Sequence, residues 1–150
     1  MGEAKAVSIA AALEIGIRRG AVENKREIIR NSKDIANYFK AQLQYKNHEV
    51  FVAIFLNQAS KILHSEVLSE GGITGTVVDP RVLLRKALEY NAVNIILCHN
   101  HPSGNLKPSQ ADKDLTYKIS EAAKFFDIDV NDHIIVSNEG YYSFADDGLI

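Results

Sequence analysis

Residues 97–114 read LCHNHPSGNLKPSQADKD, and they begin inside an apolar run, NIILC over 94–98, of the kind that forms a strand buried on both faces. Two of the chain's five histidines, His99 and His101, stand one residue apart where that run ends. Side chains of an extended segment alternate with period two, so residues 99 and 101 share one side while Cys98 and Asn100 take the other. Pro102-Ser103-Gly104 then turns the chain. Pro108-Ser109 opens a helix whose first turn carries Asp112, placed to swing back towards the imidazoles. Two neutral imidazoles, one carboxylate and an open fourth position are the ligand set of a catalytic zinc site. Such an ion lowers the pKa of its bound water to about 7, and an acid–base residue must take and return the proton.

Each piece also has an ordinary structural use. Ser109-Gln110-Ala111-Asp112 has the form of a helix capping box, and a lone His-x-His is commonly just part of a solvated loop. The joint pattern is more demanding. His-x-His, seven residues, Ser, two residues and Asp fix four identities within fourteen positions, directly after a buried strand and across a helix start. A capped helix alone needs none of those spacings. Asp114 is the rival to Asp112, but it falls on a different face of the helix.

The pattern around this stretch is that of an α/β fold, a mixed β-sheet flanked by helices with a further N-terminal helix. Residues 3–19 carry Ala6, Ile9, Leu13 and Ile17 at helical spacing, and the charged stretch RRGAVENKREIIRNS connects them to the main domain. We divide the chain into an N-terminal helix and connector, 1–28, and a domain over 29–150. A helix is predicted from Ser32 or Lys33 to Leu43, burying Ile35, Phe39 and Leu43. EVFVAIFL (49–56) and KILHSEVLSE (61–70) read as a hairpin across Asn57–Ser60. GGITGTVVD (71–79) reads as a glycine-rich loop entering a short strand. Asp79-Pro80 starts another helix, with Val82, Leu83, Ala87 and Tyr90 on one face. A helix over 109–126 is expected to bury Leu115, Ile119, Ala122 and Phe126. DVNDHIIVS (129–137) and YYSFA (141–145) pair across Asn138–Gly140.

The 150 residues fit one domain of ordinary size, 46% hydrophobic and 24% charged, able to bury a core. A net charge of −2 gives no general attraction to nucleic acid. One cysteine, Cys98, excludes an internal disulfide and a four-cysteine zinc site. No secretory pattern and no apolar run of about 18 residues is visible, so the expectation is a cytoplasmic protein with no membrane partner.

HNHPSGNLKPSQAD matches the H-x-H-x7-S-x2-D signature of the JAB/MPN metalloproteases, the JAMM motif. The wording HNHPSG, with DHIIV over 132–136, resembles the RadC family of bacterial proteins, and the similarity runs over roughly residues 30–150. KAVSIAAALEIGIRR resembles the helix that precedes the domain in that family, although the helix-hairpin-helix module its members commonly carry is not in this sequence. The resemblance implies a JAB/MPN (cytidine-deaminase-like) architecture, with His99, His101 and Asp112 binding zinc. It implies a catalytic glutamate at Glu49, for which Glu66, Glu70 and Glu89 compete on the residues alone. Ser109 would then steady the oxyanion of a tetrahedral intermediate. Asp132-His133 matches a recurring element of the family, with His133 either supporting the sheet or holding a metal ligand. The implied activity is cleavage of a peptide or isopeptide bond, with a peptide or protein as substrate.

The rival expectation is a DNA-repair-associated accessory or binding module with a non-catalytic metal. Its basic cluster would be Arg18, Arg19, Lys25, Arg26 and Arg30. Net charge argues against DNA association, and a closed structural zinc site wants four protein ligands rather than three. The tripeptide HNH is not the motif of HNH nucleases, which spread their residues over a strand–helix unit. Zinc deaminases need H-x-E with P-C-x-x-C, which a single cysteine excludes.

Overall fold

A computed structural model gives the fold, and it describes residues 2, 4, 5, 7, 8, 28–43, 46–71 and 78–150. Among these residues five strands form one sheet in the order β2-β1-β3-β4-β5. They are β1 (Val50–Leu56), β2 (Ile62–Glu70), β3 (Asn94–Asn100), β4 (Asp129–Val136) and β5 (Tyr141–Ser143). Only β3 and β4 run parallel; the other neighbours are antiparallel, so the sheet is mixed as expected. Among the described residues three helices flank it: α1 (Ser32–Leu43), α2 (Pro80–Glu89) and α3 (Gln110–Lys124). Ala4, Lys5, Val7 and Ser8 are helical, while the rest of the helix expected over 3–19 lies outside the described residues. So do most of the connector, with Arg18, Arg19, Lys25 and Arg26, and the strand expected within 71–79.

The alternation of β1 decides the layering. Val50, Val52, Ile54 and Leu56 face α1, where they meet Ile35, Ala36, Phe39 and Leu43. Phe51, Ala53 and Phe55 face the other way, onto Leu83, Leu84 and Ala87 of α2 and Ile119 and Ala123 of α3. A strand buried on both faces has no polar side to display, which is why EVFVAIFL reads as a continuous apolar run rather than an alternating one. Edge strand β2, by contrast, mixes buried and exposed positions.

Two helices sit on the sheet differently from their expected faces. In α2 the buried residues are Leu83, Leu84 and Ala87, and Val82 is exposed. In α3 they are Thr116, Ile119 and Ala123, with Leu115 and Ala122 only partly buried. Phe126 is 49% exposed, because the helix ends at Lys124 and the chain reverses through Asp127 at a φ of 54°. Ala123 takes the buried place instead. The stripe is rotated because the sheet-facing side of the first turns carries Asp112 and Thr116, one helical turn apart.

Candidate metal centre

The two histidines leave the sheet as the period-two argument requires. Strand β3 continues through Asn100, and the β1–β3 register pairs Phe51 with His99. Continuing that register sets Glu49, just before β1, beside His101. Glu49 and His101 are 52 residues apart in sequence and are brought together by an antiparallel pairing. Asn100, buried and on the opposite side, holds this edge together: its Oδ1 accepts from Val50 N–H at 2.7 Å and its Nδ2 donates to the His48 carbonyl at 3.0 Å. The amide thus grips the backbone on both sides of Glu49.

After β3 the turn His101–Gly104 closes with a Gly104 N–H to His101 C=O bond of 3.0 Å, and Gly104 has a φ of +82°, a conformation that costs glycine little. The turn returns the Asn105 carbonyl to His101 Nδ1, at 2.5 Å. Ser109 caps α3 and the capping box is formed: its Oγ accepts from Asp112 N–H at 3.1 Å, and Asp112 Oδ2 accepts from Ser109 N–H at 2.7 Å. The Ser109 hydroxyl also donates to Asp112 Oδ2, at 2.6 Å. The capping box and the metal reading are therefore not alternatives. The cap holds one carboxylate oxygen and leaves Oδ1 facing His99 Nε2 at 3.4 Å.

Four side chains converge. His99 Nε2 and His101 Nε2 are 2.9 Å apart, Asp112 Oδ2 is 3.8 Å from His101 Nε2, and Glu49 Oε1 is 3.8 Å from the same atom. Glu49, His99 and His101 each offer a ligand atom, all within 4.8 Å of one another. Ligand atoms around a tetrahedral zinc at about 2.0–2.2 Å lie about 3.3–3.6 Å from each other, and the separations among His99, His101 and Asp112, 2.9, 3.4 and 3.8 Å, bracket that range. Burial pushes His99 down to about 4, with Asp112 opposing that shift and His101 adding to it. It is therefore neutral near pH 7 and able to use a lone pair on a metal.

His133 is fully buried, and it touches a proposed ligand: its Nε2 is 2.8 Å from His99 Nδ1. Phe51 stacks on His99 and Phe144 on His133, so both rings are held against dry aromatic faces. Asp132 touches neither ligand histidine. Its carboxylate accepts from the N–H groups of His133 and Ala145 and from the Ser143 hydroxyl, pinning the β4–β5 end. Cys98 lies buried in the α1-side core, where desolvation raises its thiol well above its ordinary value, so it is neither ligand nor nucleophile. Glu66 pairs with Lys86 and Tyr90, and Glu89 with Arg85 and Lys86, rather than with His99 or His101. Thr116 and Asn100 carry no sign of their role in the sequence, because each reads as an ordinary polar residue at its position.

The family model described as a RadC-like JAB domain matches residues 29–149. The chain belongs to this family. A UPF0758 protein of Flavobacterium johnsoniae is 47% identical over 99% of this chain and 66% of its own length. A UPF0758 protein of Porphyromonas gingivalis is 40% identical, and one of Pseudomonas syringae pv. tomato 39%, each over 100% of this chain and 67% of its own length. The chain thus spans about two thirds of these relatives. A mixed sheet with a Glu-His-His cluster at the end of its central strand is consistent with a JAMM-like metallohydrolase fold in the RadC-like JAB domain. Among the described residues, no helix is long and apolar enough to cross a membrane.

Proposed function

We propose that the chain is a zinc-dependent hydrolase of the JAMM type, cleaving a peptide or isopeptide bond. The observation that carries this reading is the convergence of His99 Nε2, His101 Nε2 and Asp112 Oδ1 at the end of β3, with Glu49 beside them. Zinc held there would supply a Lewis-acid charge, lowering the pKa of a bound water to about 7 and polarising a scissile carbonyl.

The protein's own groups divide the remaining work. Asp112 suits the ligand role because its cap fixes the carboxylate and aims one oxygen at His99. Glu49 suits the base role: it stands at the rim, and a groove of about 460 Å³ that it lines with His101, Ser103, Asn105, Lys107 and Ser109 leads to it. It takes the proton of the attacking water and returns it to the leaving amine, a task worth about 10²–10⁴ in rate. The Ser109 hydroxyl opens onto the same groove. When it turns from Asp112 to the tetrahedral oxyanion, the Ser109 N–H still holds Asp112 in place.

The test compares zinc content and cleavage of fluorogenic peptides and isopeptide-linked branched peptides in wild type, Asp112→Ala and Glu49→Gln. The expected result is about one zinc per chain in wild type, lost in Asp112→Ala, and retained without cleavage in Glu49→Gln. Loss of zinc in Glu49→Gln would make Glu49 the ligand. Salt-dependent DNA binding by a zinc-loaded protein that cleaves none of these bonds would favour the accessory-module reading.

A further inference from the structure

The residues behind the site decide which nitrogen of His99 carries its proton. Three contacts run in series through the buried layer between β3, β4 and α3. His99 Nδ1 lies 2.8 Å from His133 Nε2, His133 Nδ1 lies 2.6 Å from Thr116 Oγ1, and Thr116 Oγ1 lies 2.6 Å from the Asp112 carbonyl oxygen. Thr116 and His133 are 2% and 0% exposed. The last member of the series, a backbone carbonyl, has no proton to give. Each contact needs one proton, so all three protons must point towards that carbonyl. Thr116 O–H donates to Asp112 C=O, His133 Nδ1–H donates to Thr116, and His99 Nδ1–H donates to His133 Nε2.

His99 is then left with a bare lone pair on Nε2, the atom that faces His101 and Asp112. His101 is set the same way by a shorter route, because its Nδ1 meets the Asn105 carbonyl and must donate to it. Two unprotonated Nε2 atoms consequently confront each other at 2.9 Å, an arrangement that a shared cation relieves. Were the Thr116 hydroxyl absent, nothing would stop both buried imidazoles from reversing. His133 would donate from Nε2, and the His99 proton would sit on Nε2, where it blocks coordination.

We propose that Thr116 and His133 form a proton-ordering relay that locks His99 in its Nδ1–H tautomer and so sets the site's affinity for a divalent metal. Both are positioning residues, acting through His99. Asp112 serves twice in this scheme, its carboxylate facing the site and its carbonyl anchoring the relay. The proposal rests on the zinc reading for its consequence, but the tautomer itself can be measured in the metal-free protein.

The experiment uses the whole chain with ¹⁵N-labelled histidine, and compares wild type, Thr116→Val and Thr116→Ser. Nitrogen chemical shifts and two-bond ¹H–¹⁵N couplings assign the tautomers without metal, and competition against a chelator gives zinc affinity. Wild type should show His99 and His133 both protonated at Nδ1. Thr116→Val, which keeps the shape and removes the hydroxyl, should populate the reversed tautomers and bind zinc about 10–100-fold more weakly. Thr116→Ser should restore both. Thermal unfolding of each metal-free variant separates weakened binding from misfolding. A wild-type His99 protonated at Nε2 overturns the relay, as does Thr116→Val with unaltered tautomers and affinity. Wild type with the expected tautomers but no zinc binding would support the relay and instead remove the hydrolase reading.

Discussion

Both faces of the sheet are buried, but they put their polar side chains to different use. On the α1 side, Ile35, Phe39 and Leu43 close over Val50, Val52, Ile54, Ile96, Cys98, Ile134 and Val136, and the buried polar side chains at the margins of that face, Asn100 and Asp132, hold backbone N–H and C=O groups. On the other side the same strands begin as hydrocarbon, Phe55, Ala53, Ile95 and Leu97, and then change character at the carboxyl end of β3. There His99, His133 and Thr116 are as deeply buried as any leucine. A buried polar group costs stability unless it is hydrogen-bonded, and each of these three has its partner. On one face the buried polar groups tie down backbone, and on the other they stand behind side chains that a metal can use.

This contrast is open to direct attack from both sides. Phe39→Ala should lower folding stability by about 3–5 kcal/mol, the range for emptying a large aromatic site in a packed core. Zinc affinity of the folded fraction should be unchanged. Glu49→Gln should do the reverse: cleavage falls by about 10²–10⁴, while the urea midpoint barely moves for a residue whose side chain remains 29% exposed. Denaturation and turnover measured on both variants would reveal any cross-talk. A Phe39→Ala protein that lost zinc without unfolding would show that the two faces are not separable.

Acid should find the polar face first. Burial pushes His99 down to about 4 and holds His133 well below the ordinary histidine value near 6.5. Between those limits the unfolded chain binds protons that the native chain refuses, so stability rises with pH across the window and is lost as pH falls from about 6.5 towards 4. Urea midpoints at pH 7 and pH 5 should differ in that direction. Excess zinc should steepen the dependence, because protons and metal compete for the same nitrogens. A midpoint flat over this range would mean that the histidines are protonated in the native state.

The same contrast explains what could be read in the residues and what could not. Period two carried His99 and His101 to one side of a strand, and the capping pattern carried Asp112 to the first turn of a helix, because both are local rules. Glu49 entered through family resemblance: a partner 52 residues away is supplied by strand register, which no local pattern records. Thr116 escaped because a lone polar residue at a helical core position looks like noise in an apolar stripe. That same residue belongs to the stripe that faces the sheet, Thr116, Ile119 and Ala123, while Phe126, expected inside, lies half-exposed beyond the helix end at Lys124. Val82 failed for a simpler reason. Two apolar neighbours compete for one face, and packing against β1 chose Leu83 and Leu84.

The smallest effect belongs to the residue shared between cap and site. Ser109→Ala removes a side chain that accepts from Asp112 N–H, which as a helix cap is worth about 1 kcal/mol. It also removes the hydroxyl that donates to Asp112 Oδ2, but the Ser109 N–H continues to hold that oxygen at 2.7 Å. Stability should therefore drop by about 1 kcal/mol, and zinc should remain bound. Any larger fall in cleavage, of about 10²–10³, then belongs to a lost oxyanion donor rather than a displaced ligand. Zinc titration and turnover on this one variant divide the roles. If zinc is lost, the cap is part of the metal site itself; if zinc stays and cleavage is unaffected, Ser109 is only a cap.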